Sequence, residues 1–164
     1  MLTQVLSITG LILVVLGVAL YRESRRHRSL SEWVARHPTT SLHWPFTDSE
    51  HPQVPVAELL GLFIPVPSSN LASAVEVQSG DGPCWLIEFS AMPNAGKTAR
   101  WFTLIAWHCN DPAIALRRQT EWQQANPDKQ IRTLDTWVCR RREGTITTAL
   151  LEEIFSRDPQ GSMA

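Results

Sequence analysis

Paired cysteines are missing. Cys84, Cys109 and Cys139 make an odd and widely spaced set, each inside an apolar run. This excludes the disulfide framework of small secreted domains and fits a reducing compartment, where free thiols behave as small buried hydrophobes. No two cysteines or histidines stand at the close spacing of a structural zinc site. The set Cys84, His108, Cys109 and Cys139 is therefore a metal candidate only if neighbouring strands bring it together. Basic residues are absent from His37 to Gly96, where Asp48, Glu50, Glu58, Glu76, Asp81 and Glu88 carry the charge. The sign reverses later, with nine basic against four acidic residues between Lys97 and Arg142. The simple reading is one domain whose acidic and basic parts complement each other. A formal net charge of -1 is too little for a nucleic-acid binder, and none is expected as a partner. Internal repeats are absent as well.

Charge of either sign is missing between Thr3 and Tyr21, and there the chain is apolar on every side: Val5, Leu6, Ile8, Leu11 to Leu16, Val18 and Leu20. About nineteen residues of helix rise roughly 28 Å, which matches a hydrocarbon core of about 30 Å. The reading is a single membrane span. A cleaved signal peptide would want a basic start and small residues before the cut, and neither is present. Arg22, Arg25, Arg26 and Arg28 follow at once. Basic residues beside a span stay on the cytoplasmic side, so the amino terminus is expected outside and the rest of the chain in the cytoplasm of a bacterial inner membrane. The same arginines would contact anionic lipid. Thr3, Ser7, Gly10 and Gly17 fall on one helical seam, a pattern by which membrane helices associate.

With residues 1–28 given to the anchor and its basic flank, about 135 remain, the size of one domain. Ser29-Leu30-Ser31-Glu32 has the form of a capping box for a short juxtamembrane helix. Six prolines between Pro38 and Pro67 suggest a spacer over 29–69, broken by a helical turn around the apolar patch from Val56 to Ile64. The domain is expected over 70–157, with a loose tail at 158–164. Ala74–Gln78 and Cys84–Ala91 flank a turn-rich link, and Arg100–Cys109 favours strand. Asn110-Asp111-Pro112 starts a surface helix that Asn126-Pro127 ends. Ile131–Cys139 reads as a fourth strand, Arg140–Gly144 as a turn, and Ile146, Leu150, Leu151, Ile154 and Phe155 as the stripe of a last helix. The sum is an α+β domain with a mainly antiparallel sheet and two packed helices.

Gly96-Lys97-Thr98, at the end of Ala91-Met92-Pro93-Asn94-Ala95, fits a relaxed phosphate-loop pattern and is the one candidate ligand site. A working loop needs backbone amides around the phosphates and a helix starting at once, whereas Pro93 removes an amide and the residues after Thr98 look like strand. No catalytic residue and no cofactor is expected. Of seven tryptophans, four fall on predicted strands and read as core, with Trp122 the candidate for exposure. The composite expectation is a membrane-anchored, non-enzymatic interaction module at the cytoplasmic face, binding the bilayer and a protein partner or itself. The alternatives are a phosphate-ligand or nucleotide-binding domain using Gly96 to Thr98, and an anionic-lipid sensor using the arginines.

Overall fold

The computed structural model describes residues 2–64, 69–79, 82–91 and 98–157, with the side chains at 2–7, 69, 79, 156 and 157 outside the description. The chain opens on one continuous helix, α1 (Leu2–Arg36), whose two halves behave differently. From Ile8 to Tyr21 every side chain is exposed, including Leu11, Leu13, Val15 and Leu20. Further on, Arg26, Leu30, Trp33 and Val34 recur at the three- and four-residue spacing of one helical face. That face packs: Leu30 and Trp33 are buried. Ser29 caps nothing, because the helix runs straight through it.

Among the described residues no helix is long and apolar enough to cross a membrane. What the fold shows directly is a run of apolar helix, Ile8 to Tyr21, that the other described residues leave uncovered.

After α1 come β1 (Thr40–His43), a 3-10 turn at Asp48–Glu50 and α2 (Val56–Gly61). There follow β2 (Ser69–Ser79), β3 (Gly82–Ala91), β4 (Arg100–His108), α3 (Pro112–Ala125), β5 (Ile131–Leu134), β6 (Trp137–Glu143) and α4 (Thr148–Arg157). The fold class is α+β, as expected, around one six-stranded sheet of order β1-β2-β3-β4-β6-β5 with every pairing antiparallel.

The proline-dense stretch expected as a spacer is folded onto that sheet. Phe46, Val54, Val56, Leu59, Leu60 and Ile64 pack with Ala74, Trp85, Ile87, Phe89, Leu104 and Trp137 on one sheet face. Proline bars a segment from central strands but not from an edge, and β1 is the edge strand. The opposite face is covered by α1 and α4, which bury Leu30, Trp33, Ile146, Leu150, Leu151 and Ile154 against Val75, Leu86 and Ile105. The period-two alternation of β3 divides Trp85, Ile87 and Phe89 from Cys84, Leu86 and Glu88 and so feeds both layers.

Two expectations about the chain after Pro127 are corrected. Ile131–Cys139 is not one strand but two, joined at Asp135 and Thr136 with Leu134 opposite Trp137. A two-residue hairpin needs positive φ, and Asp135 adopts 51°. Arg140 to Arg142 are not a turn but the continuation of β6, paired with Ile105, Leu104 and Thr103. The helix α3 starts as read: the Asp111 carboxylate accepts from the Ala113 amide at 2.6 Å and Pro112 takes the first turn. Only Ala115 of it is buried. Its glutamines cap the β5 edge, since the Ile131 amide donates to Gln123 at 3.2 Å and Gln119 donates to the Ile131 carbonyl at 3.0 Å. An edge occupied in this way is a poor template for another strand.

Candidate functional site

The arrangement with most chemistry in it is the junction where α1 enters the domain. Arg26 lies one and a half turns past Tyr21, and its guanidinium donates to Glu88 on β3 at 2.5 Å and to Glu23 at 2.6 Å. The Glu88 side chain is fully buried, and the oxygen that takes Arg26 also accepts the Ile146 amide at 3.0 Å. One carboxylate therefore ties α1, the central sheet and the chain leading into α4. Burial opposes the charge on Arg26, but hydrogen bonds to Glu88 and Glu23 outweigh it and hold the guanidinium above its ordinary pKa. The Arg26 guanidinium also sits over the Trp44 ring at 4.9 Å, and His27 meets that ring edge-on at 4.7 Å.

A second tie lies two turns on. The Trp33 indole donates to Glu152 of α4 at 2.5 Å, His37 stacks on Trp33 at 3.8 Å, and Phe155 closes on both rings edge-on. The helix reaches the domain through both contacts and no hinge separates them, because α1 is unbroken between Arg26 and Trp33. Trp33 thus belongs to the domain core rather than to a lipid interface.

The arginines read as one basic flank divide into two groups. Arg22, Arg25 and Arg28 are exposed, whereas Arg26 turns inward to Glu88. Spacing sets Arg25 and Arg28 off the face shared by Arg26, Leu30 and Trp33, but Arg22, four residues before Arg26, lies on that face, and only the position of Glu88 opposite Arg26 separates the two. Gly10 and Gly17 of the small-residue seam have open space around them, with nothing within 4 Å of an added Cβ. The side chains of Thr3 and Ser7 lie outside the described residues.

The metal candidates are not brought together. Cys84 lies in the layer under α1 and α4, Cys139 on the opposite sheet face, and Cys109 in a third cluster under α3 with Ala115, Ile131 and Val138. Among the described residues no group of three or more His, Cys, Asp or Glu is placed to hold a metal ion. Burial pushes the Cys139 thiol up to about 12, partly offset by Arg132, which leaves it almost wholly protonated at neutral pH. His108 packs its ring on Trp137 at 4.9 Å. Gly96 and Lys97 fall outside the described residues. Thr98 is exposed, and the chain after it enters strand β4 at Arg100, where a phosphate loop would start a helix.

Sequence reasoning missed a histidine and aromatic cluster on the other sheet face. His43 at the end of β1 stacks on Trp85 at 5.3 Å, His51 stacks on Phe46 at 5.2 Å, and the two imidazoles are 4.3 Å apart. Burial and the neighbouring His51 lower the His43 pKa, opposed by Glu76 at 3.7 Å and by Glu50. The cluster fastens the 44–54 segment to the sheet. The only signal for it was the density of histidine and tryptophan in a stretch whose prolines suggested a spacer.

Comparison with protein-family models, with curated proteins and with solved structures finds no match.

Proposed function

We propose that the protein is a single-pass membrane-anchored interaction module, with its amino terminus outside and its α+β domain held at the cytoplasmic face of a bacterial inner membrane. The observation that carries this reading is α1 itself. Leu11, Leu13, Val15, Leu16 and Leu20 are each more than half exposed in a regular helix that the domain does not cover. Apolar surface on every side of a helix demands an apolar medium, at about 25 cal/mol per Å² left in water. Extended over the uncharged residues from Thr3, the run reaches the length of a span. Arg22, Arg25 and Arg28, exposed at its end, fit the cytoplasmic boundary. The partner is a protein or a second copy, in keeping with the exposed Ile114 and Leu116 on α3 and the open faces of Gly10 and Gly17.

The test uses the full chain with a carboxyl-terminal tag. Membranes are washed with alkaline carbonate, the tag is probed with protease in spheroplasts, and the detergent extract is affinity-purified for mass spectrometry. The reading expects carbonate resistance, a protected tag and a stoichiometric partner or a discrete homo-oligomer. Release by carbonate, or a tag cleaved from outside, would overturn the anchor or its orientation. A monodisperse monomer recovered alone would overturn the interaction module.

A further inference from the structure

The contacts between α1 and the sheet give a ruler for how the domain stands beneath its anchor. α1 ends at Arg36, the chain turns with the Thr40 amide on the His37 carbonyl, and β1 runs back until Trp44 meets Arg26 and His27. Ten residues of helix cover about 15 Å and four of strand about 13 Å, so the strands lie alongside α1. Glu88 of β3, in contact with Arg26, marks one level on this ruler. Beyond Glu88 the β3–β4 pair continues toward the anchor, with Ser90 opposite Trp101 and Ala91 opposite Arg100. Two strand residues are about 7 Å, which along α1 is the distance from Arg26 back to Arg22 and Tyr21. A helix tilt of about 20° would shift that level by only roughly 3 to 4 Å across a helix-to-sheet separation of about 10 Å.

At that level the side chains are unusual. Trp101 is 45% exposed, and it is the only tryptophan in the exposed class among the described residues. Thr103 is opposite Glu88 and Trp101 opposite Ser90, so Trp101 lies on the sheet face that α1 covers. Arg100, the preceding residue, lies on the opposite sheet face, exposed and paired with the exposed Glu143 at 3.2 Å. An exposed indole level with the basic end of an apolar helix suits the head-group zone, where the apolar ring body and the polar N–H are both accommodated.

We propose that Trp101 is a second membrane contact: it seats in the head-group region of the leaflet that Arg22, Arg25 and Arg28 face. The domain then rests on the bilayer through the β3–β4 end of its sheet rather than hanging from α1. This rests on the anchored reading above, and its occupant is the lipid surface, not a protein docked on the indole.

The test reconstitutes the full-length protein into phosphatidylcholine and phosphatidylglycerol vesicles containing lipid brominated high in the acyl chain. Wild type is compared with Trp101→Phe, so that the difference in emission belongs to Trp101. The expected result is a blue-shifted difference spectrum quenched by the brominated lipid, with the quenching lost in Trp101→Phe. Leu116→Trp placed in that variant, on α3 beside β5 and β6, should not restore it. Flotation and carbonate washing of the same vesicles separate the two readings. Protein that floats and resists carbonate, yet is quenched equally in wild type and Trp101→Phe, would overturn the second contact and leave the anchor standing. Protein that fails to float would overturn both.

Discussion

Arg26 and Glu88, 62 residues apart in the chain, meet at 2.5 Å with the carboxylate fully buried. Taking a charge out of water costs several kcal/mol, recovered only while its partner stays in place. Arg26→Met leaves Glu88 buried and unpaired and should destabilise the domain by about 3–5 kcal/mol. Urea unfolding of the full chain in mild detergent, followed by tryptophan emission, measures this. Arg26→Met with Glu88→Leu should regain part of the loss but not all of it. The Ile146 amide would lose its acceptor, at about 1–3 kcal/mol. A double variant as unstable as the single one would mean that Ile146, not the ion pair, dominates the node.

Gly82 and Gly144 both take positive φ, 125° and 107°. A Cβ on Gly82 would stand 2.5 Å from the His108 carbonyl oxygen, while one on Gly144 meets nothing within 4 Å. Gly144→Ala should therefore cost only backbone strain, of order 1–3 kcal/mol. Gly82→Ala must also push β3 away from the end of β4, and its urea midpoint should fall further. Equal midpoints would show that the contact relaxes at no cost.

Much of this was legible in the chain and some was not, for identifiable reasons. The strands Cys84–Ala91 and Arg100–Cys109 alternate or run apolar, and their pattern was enough. The α3 cap at Asp111 announces itself by residue type. The fold of residues 38–64 was hidden because proline density signals extended chain equally well in a spacer and at a sheet edge, and only packing on Trp85 and Ile87 decides between them. The β5–β6 hairpin was hidden because Asp135-Thr136 is a weaker turn signal than Asn-Gly or Asp-Gly. At the junction, four arginines in seven residues looked alike until Glu88 supplied a partner for one. Trp101 reads as core because a tryptophan on a strand usually is, and nothing local distinguishes an exposed strand end from a buried middle.

Cys84, Cys109 and Cys139 are all buried at 1% exposure or less. A thiol reagent such as 5,5′-dithiobis-nitrobenzoate attacks thiolate, and burial suppresses both access and ionisation. Native protein should react with none of the three on the timescale of a free thiol, and all three should react together once urea passes the unfolding midpoint. Fast labelling of Cys139 in the native protein would contradict both its placement and its raised pKa.

His43 gives the fold a pH dependence whose sign is fixed by its surroundings. Burial and the adjacent His51 favour the neutral imidazole, against Glu76 and Glu50, so the folded pKa lies below the ordinary 6.5. Between the two values the unfolded chain binds the proton and the folded one does not, so stability rises with pH in that window. The contribution is fully present above 6.5 and is lost as the pH falls toward the folded value. Thermal melts in detergent at about pH 7.5 and pH 5.5, where histidine is the main side chain to change charge, should show a lower Tm in acid. His43→Phe keeps a ring on Trp85 while removing the titration, and its Tm should drop less over the same interval. An equal drop in both would show that His43 does not carry the acid sensitivity.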